Sequence, residues 1–261
     1  MHAIHAALRL RGEGRLTVQE AEVYSRAAPI VGSKAWSKET VRWVLSELQA
    51  VALCRGPGEA ELHLLDVGSS FGAFFGHPGL RCVALDLAPA HPEVWQADFF
   101  QLPILPLPLQ EGCRVLRSDD GSMLLALEAG SFDAVVLSLV LSFLPTPRLR
   151  RDMLDRVRKC LRTGGSLLLV EKAALAAHGA AGLERRRAFQ EAVEAAGFVS
   201  QCCTSLGRLD GGRRPHAHAW HLIAGSEPRL EPGPAFREDL ACHEEENGCF
   251  ANNPSDSVLS N

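Results

Sequence analysis

The chain has 261 residues, 46% of them hydrophobic and 22% charged, with a formal net charge of −4. Those proportions are ordinary for a globular protein and exclude fibrous classes and wholesale disorder. The length suits one sizeable domain with appendages, and no apolar run approaches the ~18 residues of a membrane span.

Near the N-terminus Arg9, Arg11 and Arg15 accompany an apolar stretch too short for a secretory signal. A soluble intracellular protein, cytoplasmic or nuclear/nucleolar, is the expectation, with a mitochondrial presequence as the alternative. Residues 1–60 read as a helical segment. Within Ser37 to Val51, the apolar residues Val41, Val44, Leu45, Leu48 and Val51 recur at three- and four-residue spacing, which defines one face of a helix. Ser37 is its expected N-terminal cap, and the breaker Arg55-Gly-Pro-Gly-Glu59 marks a boundary.

From Glu61 the pattern changes to short apolar runs, expected as strands, at 62–67, 81–87, 94–97, 132–138, 166–171, 198–204 and 217–224. Helices are expected over 147–162, ended by Gly164-Gly165, and over 183–196, closed by Gly197. Strands alternating with helices imply a largely parallel sheet covered on both faces. The turn Asp210-Gly211-Gly212 joins the last two strands as an antiparallel hairpin. The expected fold is therefore α/β, a seven-stranded Rossmann-like sheet with a C-terminal antiparallel hairpin and a short helical N-terminal extension. That is the layout of the class I methyltransferase domain. Residues 101–130, with the Pro-rich LPILPLPLQ, fit no element and read as an insertion loop.

From Ser226 onward eight acids and two arginines give a balance of −6, which leaves about +2 for the body. Residues 226–261 read as an acidic disordered tail, and residues 61–225 as the principal domain. A near-neutral body does not support strong free-standing nucleic-acid affinity. The eight cysteines form no C-x-x-C pair and no regular spacing, so reduced thiols are expected rather than a zinc ribbon or a disulfide framework.

In an open α/β sheet the ligand crevice lies at the carboxyl ends of the strands, where the strand order reverses. The first strand ends Asp66-Val-Gly68-Ser-Ser-Phe-Gly72, and a glycine there lets backbone approach a ligand. The second ends at Asp86, an acid placed to accept from two ribose hydroxyls. The third is followed by Asp98 and Phe99, a carboxylate able to accept from an adenine amino group and a ring able to stack on the base. Taken singly, each is as readily a turn glycine, a loop-start acid or a turn cap. Their order and spacing together make an adenosine-binding constellation. The dinucleotide fingerprint G-x-G-x-x-G is broken by Ser70 at the second glycine. This disfavours a pyrophosphate cofactor and favours S-adenosyl-L-methionine (SAM), which has no phosphate.

The segments LLDVGSSFGAF, VALDLAPAHPEVWQADFF, FDAVVLSLVLSFLPTPRLRRDML and LRTGGSLLLV, spanning about residues 62–225, carry a resemblance. They resemble the family that unites the fungal large-subunit rRNA adenine-N1 methyltransferase with SAMTOR, the animal SAM sensor of the TOR pathway. The resemblance implies that Gly68, Asp86, Asp98, Phe99 and Ser138 contact SAM. It implies a SAM-dependent methyltransferase acting on adenine N1 of large-subunit rRNA, or alternatively a sensor acting through TOR-pathway regulatory proteins with little or no catalysis. Catalytic residues are not assigned. Ser142 stands where the fungal enzymes carry Asn, and Glu171-Lys-Ala-Ala-Leu-Ala-Ala-His178 replaces their Asn-containing segment. Both departures lean toward the sensor branch, because serine orients an amino substrate less well than an amide.

Two further groups bear on function. His216, His218 and His221 invite a metal reading, but no carboxylate or thiol joins them at ligand spacing, so no metal is expected. Arg148, Arg150, Arg151, Arg156, Arg158 and Arg162, with Arg185, Arg186 and Arg187, form basic patches suited to RNA phosphates, or equally to a solvated helix face.

Overall fold

The computed structural model describes residues 17, 19–23, 26, 35–54, 61–106, 114–172, 180–209 and 214–225. Its ten strands are β1 (Leu62–Val67), β2 (Leu80–Asp86), β3 (Trp95–Gln96), β4 (Ile104–Leu105), β5 (Val115–Arg117), β6 (Leu124–Glu128), β7 (Phe132–Ser138), β8 (Leu161–Lys172), β9 (Phe198–Leu209) and β10 (Arg214–Ala224). Among the described residues they are accompanied by helices α1 (Ala35–Leu53), α2 (Pro147–Cys160) and α3 (Ala180–Ala195), residues 19–23 are also helical, and a 3₁₀ turn occupies Leu141–Phe143.

Seven strands form one sheet in the order β3-β2-β1-β7-β8-β10-β9. The β1–β2, β1–β7, β7–β8 and β2–β3 pairs are parallel, while β10 runs antiparallel to both β8 and β9. The strand order reverses between β1 and β7, and that is where the two carboxyl ends part. The expected hairpin is present, although its turn at 210–213 lies outside the described residues, as do the 55–60 breaker and the 226–261 tail.

Alternation along β1 assigns the two faces. Leu65 and Val67 join Leu85, Val135, Leu137, Leu167 and Leu169 in a core sealed by Met153, Leu154 and Val157 of α2 and Phe189 and Val193 of α3. Leu62 and Leu64 face the other way with Ala134, Val136 and Leu168, covered by Val44 and Leu48 of α1. The predicted helical stripe is thus the one that seals the second face. Ser37 does not cap α1; the helix begins two residues earlier and Ser37 is buried within its first turn.

Three other expectations are corrected. First, helices do not alternate with every strand: residues 68–79 and 87–94 connect β1 to β2 and β2 to β3 through turns, and α1 covers the face that a first crossover helix would cover. Second, residues 101–130 are not simply a loop. Their described part builds a second sheet, order β4-β6-β5, whose Leu124 and Leu127 enter the main core with Leu102 and Val115. The prolines concealed this, because Pro103 and Pro106 flank a two-residue strand too short to show a period. Third, α2 ends at Cys160 rather than at the glycine pair. Leu161 pairs with Phe132, and Arg162 donates to Asp133 Oδ1 at 2.7 Å, so strand pairing claims the residues before Gly164.

Candidate functional site

The site is assembled from strand ends. β1 delivers Asp66, Val67 and Gly68, β2 delivers Asp86, the turn after β3 carries Asp98 and Phe99, and β7 ends at Ser138. Gly68 has φ +75°, and a Cβ there would stand 2.9 Å from Val140 Cγ2, so the position admits glycine for reasons of conformation and of space. Ser70 also takes the left-handed region, at φ +51°, which is uncommon for a non-glycine residue. Its N–H donates to Asp86 Oδ2 at 3.1 Å and its carbonyl accepts from Ala90 N–H at 2.7 Å. Its hydroxyl is buried without a hydrogen-bond partner. The β1 and β2 ends are therefore tied together, leaving one orphaned polar atom between them.

Asp86 is half-buried and also accepts from Ala88 N–H at 2.9 Å through Oδ1. Burial raises its pKa, against the lowering effect of these backbone donors. Asp66 is the last residue but one of β1. It is 4% exposed, and its pKa is pushed up to about 7, chiefly by burial, with a hydrogen bond from Ser69 opposing and the charge of Asp86 adding. The available signal was an acid closing an otherwise apolar strand, since acids are seldom buried without a partner.

Asp98 accepts from Phe100 N–H at 2.9 Å through Oδ1, and its carbonyl accepts from Gln101 and Leu102 N–H. It caps its own turn and is half-buried. Phe99 lies in the main core, 4% exposed, with the Arg156 guanidinium 5.3 Å from its ring centroid. Its ring offers little open face for stacking, because packing has already covered it. Arg156 further donates to the carbonyls of Phe99, at 2.7 Å, and Leu102. Ser138 is half-buried at the end of β7, followed by Leu139 at φ +61°.

Glu171, at the end of β8, is a second buried acid. It is 3% exposed and accepts from Leu141 N–H at 2.7 Å through Oε1, with further hydrogen bonds from Ser142. Burial pushes its pKa up to about 7 despite these donors and the nearby Arg150 charge. Arg150, itself 1% exposed, donates to the carbonyls of Leu141 and Leu144. The loop leaving β7 is thus gripped by Glu171 on its N–H groups and by Arg150 on its carbonyls.

These contacts change the meaning of the arginine-rich helix. Arg156 and Arg150 hold loops of the site, and Arg158 donates to the carbonyls of Gly197 and Gly225. Arg162 pairs with Asp133, Arg151 with Asp155 and Arg148 with Asp152. Much of the predicted basic patch therefore serves the chain itself. The histidines also divide. His218 is fully buried on one face of β10, hydrogen-bonded to Ser205 Oγ, and burial lowers its pKa to about 4. His221 lies on the opposite face, within hydrogen-bond distance of Glu47 (2.8 Å) and Ser166 (3.0 Å).

The arrangement can receive a cationic, hydroxyl-bearing ligand. A positive charge would stabilise as carboxylates the two neighbouring acids whose pKa values burial raises, and Gly68 puts no side chain at the strand end. Among the described residues no helix is long and apolar enough to cross a membrane.

A methyltransferase-domain family model matches residues 65–169. The S-adenosylmethionine sensor upstream of mTORC1 from Danio rerio is 33% identical over 146 residues, 53% of this chain and 35% of that protein. The Xenopus tropicalis protein of the same name is 32% identical over 113 residues, 42% of this chain and 28% of that protein. The matched region spans about a third of those relatives. Among solved structures, the CurJ carbon methyltransferase superposes with TM-score 0.52 at 14% identity, covering 86% of this chain and 68% of that one. The [4+2]-cyclase SpnF superposes with TM-score 0.52 at 13% identity, covering 82% and 98%. One fold carries a methyltransferase and a cyclase, so the fold leaves the reaction open.

Proposed function

We propose that the chain, which has a methyltransferase-like fold and is similar over part of its length to S-adenosylmethionine sensors, binds SAM at the carboxyl ends of β1, β2 and β7. The observation that carries this reading is the Gly68–Ser70–Asp86 turn, with its left-handed backbone, its orphaned hydroxyl and its two acids of raised pKa. Asp86 retains acceptor capacity for ribose hydroxyls beyond the backbone donors it holds, Ser70, Ala88 and Leu87. Asp66 supplies negative charge toward a cationic group, Gly68 admits the ligand's backbone-like portion, and Ser138 borders it from β7. Asp98 accepts at the base edge, while Phe99 and Arg156 keep that turn in place. SAM, when bound, supplies a positively charged sulfonium with an activated methyl group.

For the output we favour a SAM-responsive protein that acts through protein partners, as the names of the relatives suggest. In support, Arg150, Arg156 and Arg158 of α2 and Arg162 of β8 bond to carbonyls and a carboxylate of their own chain, which leaves less of the basic rim that RNA would need. Methyl transfer, with adenine N1 of large-subunit rRNA as acceptor, is the second reading. What favours it is Glu171, a carboxyl with pKa about 7 beside Ser142, suited to hold or take a proton near neutral pH. Incubation with SAM tritiated on the methyl group, with and without unmodified large-subunit rRNA, separates the two. Retention on the protein with no counts in RNA is expected; label recovered as N1-methyladenine overturns the preferred output.

A further inference from the structure

A second constellation lies away from the strand ends just described. Glu47 comes from α1, Cys202 from β9 and His221 from β10. One ligand atom from each lies within 4.8 Å of the others. Their sequence separations hid the grouping: a search for partners of the histidines along the chain finds none, whereas the β9–β10 register places Cys202 directly opposite His221. Helix α1 packs on β8 and β9 and brings Glu47 over the pair.

From this geometry we propose a binding site for a single zinc-class divalent cation, with Glu47, Cys202 and His221 as its three protein ligands and water in the fourth position. A carboxylate oxygen, an imidazole nitrogen and a thiolate suit a borderline-soft tetrahedral ion. Ligand atoms about 2.0–2.3 Å from such an ion stand roughly 3.3–3.8 Å apart. Forming the site therefore needs ångström-scale side-chain shifts, with the ion replacing the 2.8 Å contact between His221 Nδ1 and Glu47 Oε2. The supporting contacts suit ligation. His221 Nε2 is held by Ser166 Oγ at 3.0 Å, which fixes the ring while Nδ1 faces the carboxylate. The His221 backbone hydrogen-bonds the Cys202 sulfur and holds it in place, while burial and the Glu47 charge raise the thiol's pKa, so ligation requires the ion itself to displace the proton. Cys202 is exposed, so the ion has an entry path. Binding displaces the thiol proton and any proton shared between His221 and Glu47 to solvent.

The site is distinct from the SAM crevice. His221 pairs with Leu168, which is level with Val136 and Asp66, so the cluster lies three strands across the sheet from the end of β1, ~14 Å at about 4.8 Å per strand. The ion would clasp α1 to the edge hairpin, joining three segments that are far apart in sequence.

Titration of the full-length, metal-free protein with Co²⁺ tests this directly. The expected result is a thiolate-to-cobalt charge-transfer band in the near ultraviolet that saturates at one equivalent and is displaced by Zn²⁺. The band should vanish in Cys202→Ser, and the apparent affinity should fall at least tenfold in Glu47→Gln, which keeps a hydrogen bond to His221 and so preserves the helix contact. Zn²⁺ should raise the melting temperature of the wild type but not of Cys202→Ser. Absence of a thiolate band in the wild type overturns the proposal. So does a band unchanged in both variants, since the chain has eight cysteines and the ion would then sit elsewhere.

Discussion

Gly68 and Asp66 show how single positions set the properties of the strand-end site. Gly68→Ala would force a Cβ into the left-handed region and against Val140 Cγ2 at 2.9 Å. Strain of this kind costs on the order of 1–3 kcal/mol. The variant should lose that stability in urea denaturation and bind SAM more weakly than wild type. Asp66 sets a pH dependence. Its folded pKa of about 7 lies above the ordinary 3.8, so the folded state holds the proton more tightly than the unfolded chain does. The free protein should therefore lose stability as pH rises from about 4 to about 7, and Glu171, shifted from 4.5 to about 7, adds in the same sense. Asp66→Asn should flatten that slope in denaturant melts at a series of pH values. A cationic ligand reverses the preference by favouring the carboxylate, so SAM affinity in the wild type should rise as pH passes about 7 and should do so less in Asp66→Asn.

At the level of elements, the most telling contact joins α2 to the turn after β3. Arg156→Ala removes the donor to the carbonyls of Phe99 and Leu102 and the cation over the Phe99 ring. Uncapping buried carbonyls costs about 1–3 kcal/mol, and hydrogen exchange should accelerate over residues 98–102 while β1 stays protected. No acceleration there would mean that the turn holds itself, through the Asp98 cap alone. The small sheet makes a separate prediction: Leu127→Ala, at a fully buried position of β6, should cost about 2–5 kcal/mol in global stability. Were residues 101–130 a detached loop, the same change would be near neutral. Legibility followed physical period. β1 and β7 are readable residue for residue because they are predominantly apolar runs bounded by turns, and α1 and α2 because their apolar stripes repeat over three or more turns. The small sheet was not, since strands of two, three and five residues broken by proline carry no period. Gly68 and Asp86 could be chosen from their places at strand ends. Glu171 and the inward turn of Arg150 could not, because burial of a charged group depends on neighbours distant in sequence. Arg150 is fully enclosed, although its sequence context is that of an exposed basic helix.

The described part of the molecule is a seven-stranded sheet with two differently covered faces, a small second sheet, and the proposed ligand site where the strand order reverses. β1 lends Leu62 and Leu64 to the face under α1 and Asp66 to the strand-end site, with Gly68 directly after it. A ligand that orders the β1 end thereby bears on α1, which is how SAM occupancy would reach a partner surface in a sensor. The claim beneath all of this is that SAM binds at Asp86. Calorimetric titration of SAM into the wild-type protein and Asp86→Ala, with Asp86→Asn keeping one acceptor for the Ser70 and Ala88 N–H groups, tests it most directly. The account predicts saturable one-to-one binding in the wild type, weaker by about 2–3 kcal/mol in Asp86→Ala because charged hydrogen bonds to ribose are lost. That is roughly a hundredfold in affinity. No heat of binding in the wild type, or equal affinity in all three proteins, would contradict it.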